Sequence, residues 1–135
     1  MQEQLSGCSV RTVHCDGVPV VSVAGEVDIG TVRPLVAELT AQLNRSPAAL
    51  VVDLRAVSFF DSSGVNGLLT SHHLAVDRRV ELHVVVVRPI VRRTLQITGL
   101  DELFRLHATV PEALRAIRPL PVPGLTRPQR TGRVR

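Results

Sequence analysis

The stretch SFFDSSGVNGLL, Ser58 to Leu69, sets an acid, two serines and a glycine between an apolar run and the start of a helical pattern. Its reactive groups are the hydroxyls of Ser62 and Ser63 and the carboxylate of Asp61. A strand ending at Phe60 and a helix starting near Val65 leave Asp61, Ser62, Ser63 and Gly64 to make the turn. In the plainest chemistry one serine caps the helix, Gly64 relieves crowding and Asp61 complements the positive end of the helix dipole. A second chemistry is nucleophilic attack, because Ser62 stands two residues before Gly64 as in a GxSxG elbow. Phe60 takes the place of the first glycine, however, and would crowd the strained turn. His83 or His107, with Asp77 or Asp101, would have to supply the base and its orienter. A third is phosphate binding by the amides of the turn. The chain has no GxxxxGK[ST] and no lysine, so the usual nucleotide-hydrolysing loop is excluded. The fourth makes a serine the acceptor of a phosphoryl group. That group adds roughly −1.5 to −2 charges at neutral pH, which a helix N-terminus tolerates. A partner docked on the turn would meet repulsion and bulk, with Asp61 and Asp28 adding to the negative field.

The elements that must position this turn follow from the pattern. Val10 to His14 and Pro19 to Ala24 are β-branched runs around an Asp-Gly turn, which predicts a hairpin. Val32, Leu35, Val36, Leu39 and Leu43 recur at helical spacing, with Thr31 as the expected N-cap and Pro34 in the first turn. Ala49 to Val57 reads as a buried central strand. The helix after the serine turn should bury Val65, Leu68, Leu69, His72 and Val76 and end near Asp77–Arg79. VELHVVVV is another strand, and Pro89 opens a helix closed by Gly99. A short strand at Arg105 to His107 and a helix from Pro111 to about Ile117 complete an order of β β α β α β α β α. That order predicts an α/β fold, a mixed sheet of four to five strands with about four helices packed on it.

At 135 residues the prior is one domain, placed at 1–117. Of the sixteen arginines, five lie from Arg118 onward, where no acid occurs, so the +4 formal charge belongs to that segment and the body is nearly neutral. Residues 118–135, rich in Pro, Gly and Arg, should form a disordered tail. With aromatics at 2% and no basic face on the body, specific nucleic-acid recognition is not expected. Cys8 and Cys15 fit no zinc spacing or disulfide framework and read as free thiols, so no metal and no cofactor are expected. The start carries no signal-peptide pattern and no apolar run is long enough to span a bilayer, so a cytoplasmic protein without membrane attachment is expected. His72 and His73 point in different directions on one helix and cannot chelate together. The pairs Arg78–Arg79 and Arg92–Arg93 read as solvated helix ends.

Three segments in order, VAGEVDIGT, VVDLRAVSFFDSSGVNGLL and RPIVRRTLQITGLDELF, resemble the anti-sigma-factor antagonists of the STAS domain family. The DSSG loop is the diagnostic piece. The resemblance implies that Ser62 is phosphorylated by a cognate anti-sigma factor that is also an ATP-dependent serine kinase. Ser63 is then its neighbour, and Asp28 and Asp61 shape the docking surface. It further implies partner switching: the unphosphorylated protein binds the kinase and frees a sigma factor, phosphorylation releases it, and a serine phosphatase restores it. The chain would then be a substrate and no enzyme. Asn66 departs from the small or apolar residues common in the family; it either touches the partner or faces solvent. The alternative is a STAS module that binds an anion or nucleotide, or acts as a scaffold without being phosphorylated.

Overall fold

A computed structural model of the chain describes residues 7–117, so the expected tail at 118–135 lies outside the described residues. The elements are β1 (Cys8–Cys15), β2 (Val18–Val27), α1 (Val32–Leu43), β3 (Ala49–Phe60), α2 (Ser62–Arg78), β4 (Glu81–Val85), α3 (Pro89–Ile97), a 3-10 turn (Leu100–Glu102), β5 (Arg105–His107) and α4 (Val110–Ala116). The turn between β1 and β2 puts Asp16 at φ 53° and Gly17 at φ 81°, as a tight hairpin demands. Gly99, at φ 80°, ends α3 as its position in the sequence suggested.

One five-stranded sheet runs in the order β1-β2-β3-β4-β5. β1 and β2 are antiparallel, and β2 to β5 pair in parallel, which requires a helix to cross between successive strands. The mixed sheet and its central β3 therefore match the alternation read from sequence. Helices α1, α2 and α3 cover one face over an aliphatic core that includes Leu35, Leu39, Leu54, Leu68 and Leu95, all buried. Truncating one such leucine to alanine typically costs about 2–5 kcal/mol. On the second face α4 covers a smaller cluster of Val20, Val51, Val85 and Ala113. Cys8 and Cys15 are free and stand at opposite ends of β1, roughly 20 Å apart at the rise of a strand.

Two details depart from the sequence pattern. β3 shifts register against β2 twice, between Ser22 and Ala24 and between Gly25 and Glu26. Its core-facing residues consequently run Leu50, Val52, Leu54, Val57 and Phe60 instead of alternating strictly. α2 buries Gly64, Gly67, Leu68, Ser71 and Ala75, whereas Val76, expected on the apolar face, is 61% exposed. Apart from Leu68 the buried stripe is made of small residues, because α2 lies close to its neighbours: a Cβ on Gly67 would stand 3.0 Å from a Val36 methyl. His72 is half-buried, edge-on to Phe104, and His73 is exposed.

Under α4 a polar chain crosses the second face. His83 is fully buried, with Nε2 3.1 Å from a Glu81 carboxylate oxygen and Nδ1 2.9 Å from His107 Nε2. Burial and then the neighbouring His83 hold the His107 imidazole below its usual pKa, Arg105 acts in the same direction, and Glu112 pulls the other way. A depressed histidine pKa means that the unfolded chain binds the proton more readily. Its stabilising contribution is complete above about pH 6.5 and is lost as pH falls from there through the folded-state value. Thermal melts from pH 7.5 to 5 should show Tm falling on acidification, and His107→Gln should flatten that fall. An unchanged slope in the variant would refute the assignment.

Candidate functional site

The site is built where two parallel strands end together. Val27, last in β2, pairs with Phe60, last in β3. The next amide, that of Asp61, donates to the Val27 carbonyl at 3.3 Å. The loops after β2 and β3 thus leave the same edge of the sheet, the carboxyl end at which open α/β folds place their sites.

In the first loop Asp28 is a local organiser. Its Oδ1 accepts the Gly30 N–H at 2.9 Å, and its carbonyl accepts the amides of Thr31 and Val32 at 3.0 and 2.8 Å. Thr31 occupies the N-cap position of α1, but its side chain makes no capping bond. Its hydroxyl donates to the Glu26 carbonyl at 2.6 Å and accepts the Asp28 N–H at 2.9 Å, fastening the loop back on β2. The loop projects Ile29, 82% exposed. Sequence reasoning missed that residue, since an isolated isoleucine beside an acid gives no periodic signal.

In the second loop the N-cap is Asp61, not a serine, and α2 begins at Ser62 rather than near Val65. Asp61 Oδ1 accepts the Ser63 N–H at 2.8 Å, and the Asp61 carbonyl accepts the Val65 N–H at 3.1 Å. The carboxylate thereby satisfies an orphan amide and places its charge against the positive end of α2. A serine cap would have consumed a hydroxyl. Here Ser62 stands at the first helical position, exposed, with no hydrogen-bond partner among the described residues.

Gly64 has a packing reason rather than a conformational one. A Cβ at this position would fall 2.6 Å from Cε1 of Phe60, whose ring is buried beneath the first turn of α2. Ser63 is half-buried and Asn66 exposed. With Val32, Val36, Gly67 and Thr70 they line a cleft of about 290 Å³ between α1 and α2. The structure thus brings Asp61, Ser62, Ser63 and Asn66 to one helix start, ties Asp28 to it through Val27, and keeps Gly64 underneath.

The hydrolytic alternative loses its base. His83 lies in a row with Val51 near the start of β3, and His107 is bonded to it. Val51 and Phe60 are nine residues apart along the strand, roughly 25 Å. Neither imidazole is within hydrogen-bonding reach of Ser62. Among the described residues no group of three or more His, Cys, Asp or Glu could hold a metal ion, and no helix is long and apolar enough to cross a membrane.

Gly64→Ala tests this packing. Helix propensity alone favours alanine by about 1 kcal/mol, whereas the contact with Phe60 should outweigh it and destabilise the protein by about 1–3 kcal/mol in urea unfolding. Phe60→Leu in the same chain should recover part of the loss. A stabilised Gly64→Ala protein would show that the ring does not hold this position.

Known proteins share both sequence and fold. The STAS domain matches residues 9–113. The anti-sigma-F factor antagonist RsfB of Mycobacterium tuberculosis is 35% identical over 110 residues, covering 82% of this chain and 89% of that protein. The crystal structure of an anti-sigma factor antagonist from Mycobacterium paratuberculosis superposes with a TM-score of 0.77 at 38% identity, over 83% of this chain and 95% of the other. The anti-sigma factor antagonist SpoIIAA in its unphosphorylated form superposes with a TM-score of 0.62 at 25% identity, over 78% of this chain and 93% of that one. A mixed five-stranded sheet, a DSSG turn at the carboxyl end of its central strand and these relatives agree, and the chain belongs to the STAS domain family of anti-sigma-factor antagonists.

Proposed function

We propose that this protein is a phosphorylation-controlled partner switch in the bacterial cytoplasm. Unphosphorylated, it binds an anti-sigma factor that is also an ATP-dependent serine kinase, and so frees a sigma factor. Phosphorylation of Ser62 releases it, and a serine phosphatase resets it. It acts as a regulator and as the kinase's substrate, with no catalysis of its own.

The observation that carries this reading is the division of labour at the start of α2. Asp61 supplies the cap, so the Ser62 hydroxyl is exposed and structurally unemployed. A phosphoryl group there would sit at the positive end of a 17-residue helix, where its charge is compatible with the fold. A partner resting on the same turn would lose its fit to added bulk and to negative charge beside Asp61. Ile29 offers that partner an apolar anchor, and Asn66, four residues beyond Ser62, an amide on the same helix face. Asp28 keeps the Ile29 loop in shape. The relatives' names, and the designation of one of them as an unphosphorylated form, support the same reading.

Incubation with the candidate kinases of its own genome and ATP, followed by phosphopeptide mapping, should find the label on Ser62. Ser62→Ala should remain unlabelled and bind the kinase persistently, and Ser62→Asp should bind at least tenfold more weakly, about 1.4 kcal/mol. If Ser62 stays unmodified with every kinase that binds, or if both variants bind equally, the proposal fails.

A further inference from the structure

Among the described residues, the second face of the sheet is only partly covered. Cross-strand partners point to the same face, and the register runs Arg11 to Ser22 to Asp53 to Val85 across β1 to β4. Val85 lies beneath α4, whereas the β1–β3 part of the row opens into a groove of about 520 Å³ lined by Arg11, Ser9, Ser22, Asp53, Arg55 and Arg88 among others. A volume of this order suits a small molecule.

The chemistry of the groove is that of an anion receptor. Its three arginines come from three places: Arg11 from β1, Arg55 from β3 and Arg88 from the residue preceding α3. Asp53 is the only carboxylate lining it among the described residues, which leaves a formal charge of +2. Asp53 is 7% exposed and holds Arg55 in a two-point grip, Nε to Oδ1 at 2.9 Å and Nη2 to Oδ2 at 2.8 Å. It also accepts the Arg55 N–H at 3.1 Å. The first register shift of β3 falls at this point, between the partners of Ser22 and Ala24, so that Arg55 and Ala56 both line the groove. Bulges of this kind re-aim side chains and recur beside functional sites. Arg88 is tethered through Nε to the Arg55 carbonyl at 3.2 Å, and its Nη1 and Nη2 have no acidic partner among the described residues. Two guanidinium groups held by the backbone and by a buried carboxylate have already lost much of the side-chain freedom that binding would otherwise cost.

We propose that this groove binds a small molecule through its phosphate groups, on the face of the sheet opposite α1, α2 and α3. Planar guanidinium forks from several sides, with the Ser9 and Ser22 hydroxyls between them, match the several acceptors of a tetrahedral phosphate better than the two coplanar acceptors of a carboxylate. No aromatic side chain is among the described residues that line the groove, so recognition rests on the phosphates rather than on a base. The site does not depend on phosphorylation of Ser62.

The test uses the full chain, labelled with ¹⁵N, with backbone amides and arginine Nε–Hε signals followed while pyrophosphate is added at constant ionic strength. Saturable shifts are expected at Arg11, Arg55, Arg88 and the Ser22 and Ala24 amides. Arg88→Gln and Arg11→Gln, each with an otherwise native spectrum, should weaken pyrophosphate binding about tenfold, and citrate should bind more weakly than pyrophosphate. Unsaturated shifts spread evenly over Arg33, Arg92 and Arg115 as well would overturn the proposal. So would saturable shifts confined to the Ser62 turn, or citrate binding as tightly as pyrophosphate.

Discussion

The parallel pairing of β2 with β3 is the constraint on which the rest depends. Parallel strands end at the same edge, and this pair ends in register, with Val27 opposite Phe60 and the Asp61 amide bonded back to the Val27 carbonyl. Two loops that are 33 residues apart in sequence, at Asp28 and at Asp61, are thereby held as one surface. Neither loop carries much apolar burial of its own. Their geometry is inherited from a sheet whose helix-covered face is filled with aliphatic side chains, so the surface is positioned without itself having to be hydrophobic.

On that edge the structural work falls to residues other than Ser62. The capping duty goes to a carboxylate, the close approach of helix and strand to Gly64 over Phe60, and the fastening of the first loop to Asp28 and Thr31. The hydroxyl of Ser62 is left outside this scheme. A switch benefits from such a residue, because a charge can be added to it without breaking a bond that the fold needs. In the proposed mechanism the same added charge is favourable to the helix dipole and unfavourable to a docked partner. The energy of the signal would then appear in binding rather than in unfolding.

Much of the fold was legible because it is written in local patterns. The Asp16-Gly17 turn, the proline that opens α3, the glycine that closes it and the β-branched run of β3 each have one strong local reading, and all are found in place. The candidate turn was legible for the same reason. Its cap was not: Asp and Ser are near-equal N-caps, so the sequence cannot choose between Asp61 and the serines, and the choice moved the start of α2 to Ser62. The buried face of α2 was read only in part: Leu68 and Val65 pack as expected, whereas Gly64, Gly67, Ser71 and Ala75, which a hydrophobic pattern passes over, are buried and Val76 is exposed. The arginine groove was invisible. It depends on a register shift in β3 and on residues from three elements, whereas the sequence shows only a nearly neutral body.

The central claim is that charge on Ser62 changes partnership while leaving the fold intact. It is tested most directly by preparing the protein stoichiometrically phosphorylated at Ser62 and measuring, on one sample, its affinity for the anti-sigma factor and its Tm. The account predicts an affinity at least tenfold below that of the unphosphorylated protein, with a Tm that is unchanged or slightly raised. Equal affinities, or a loss of binding matched by a collapse in Tm, would contradict it.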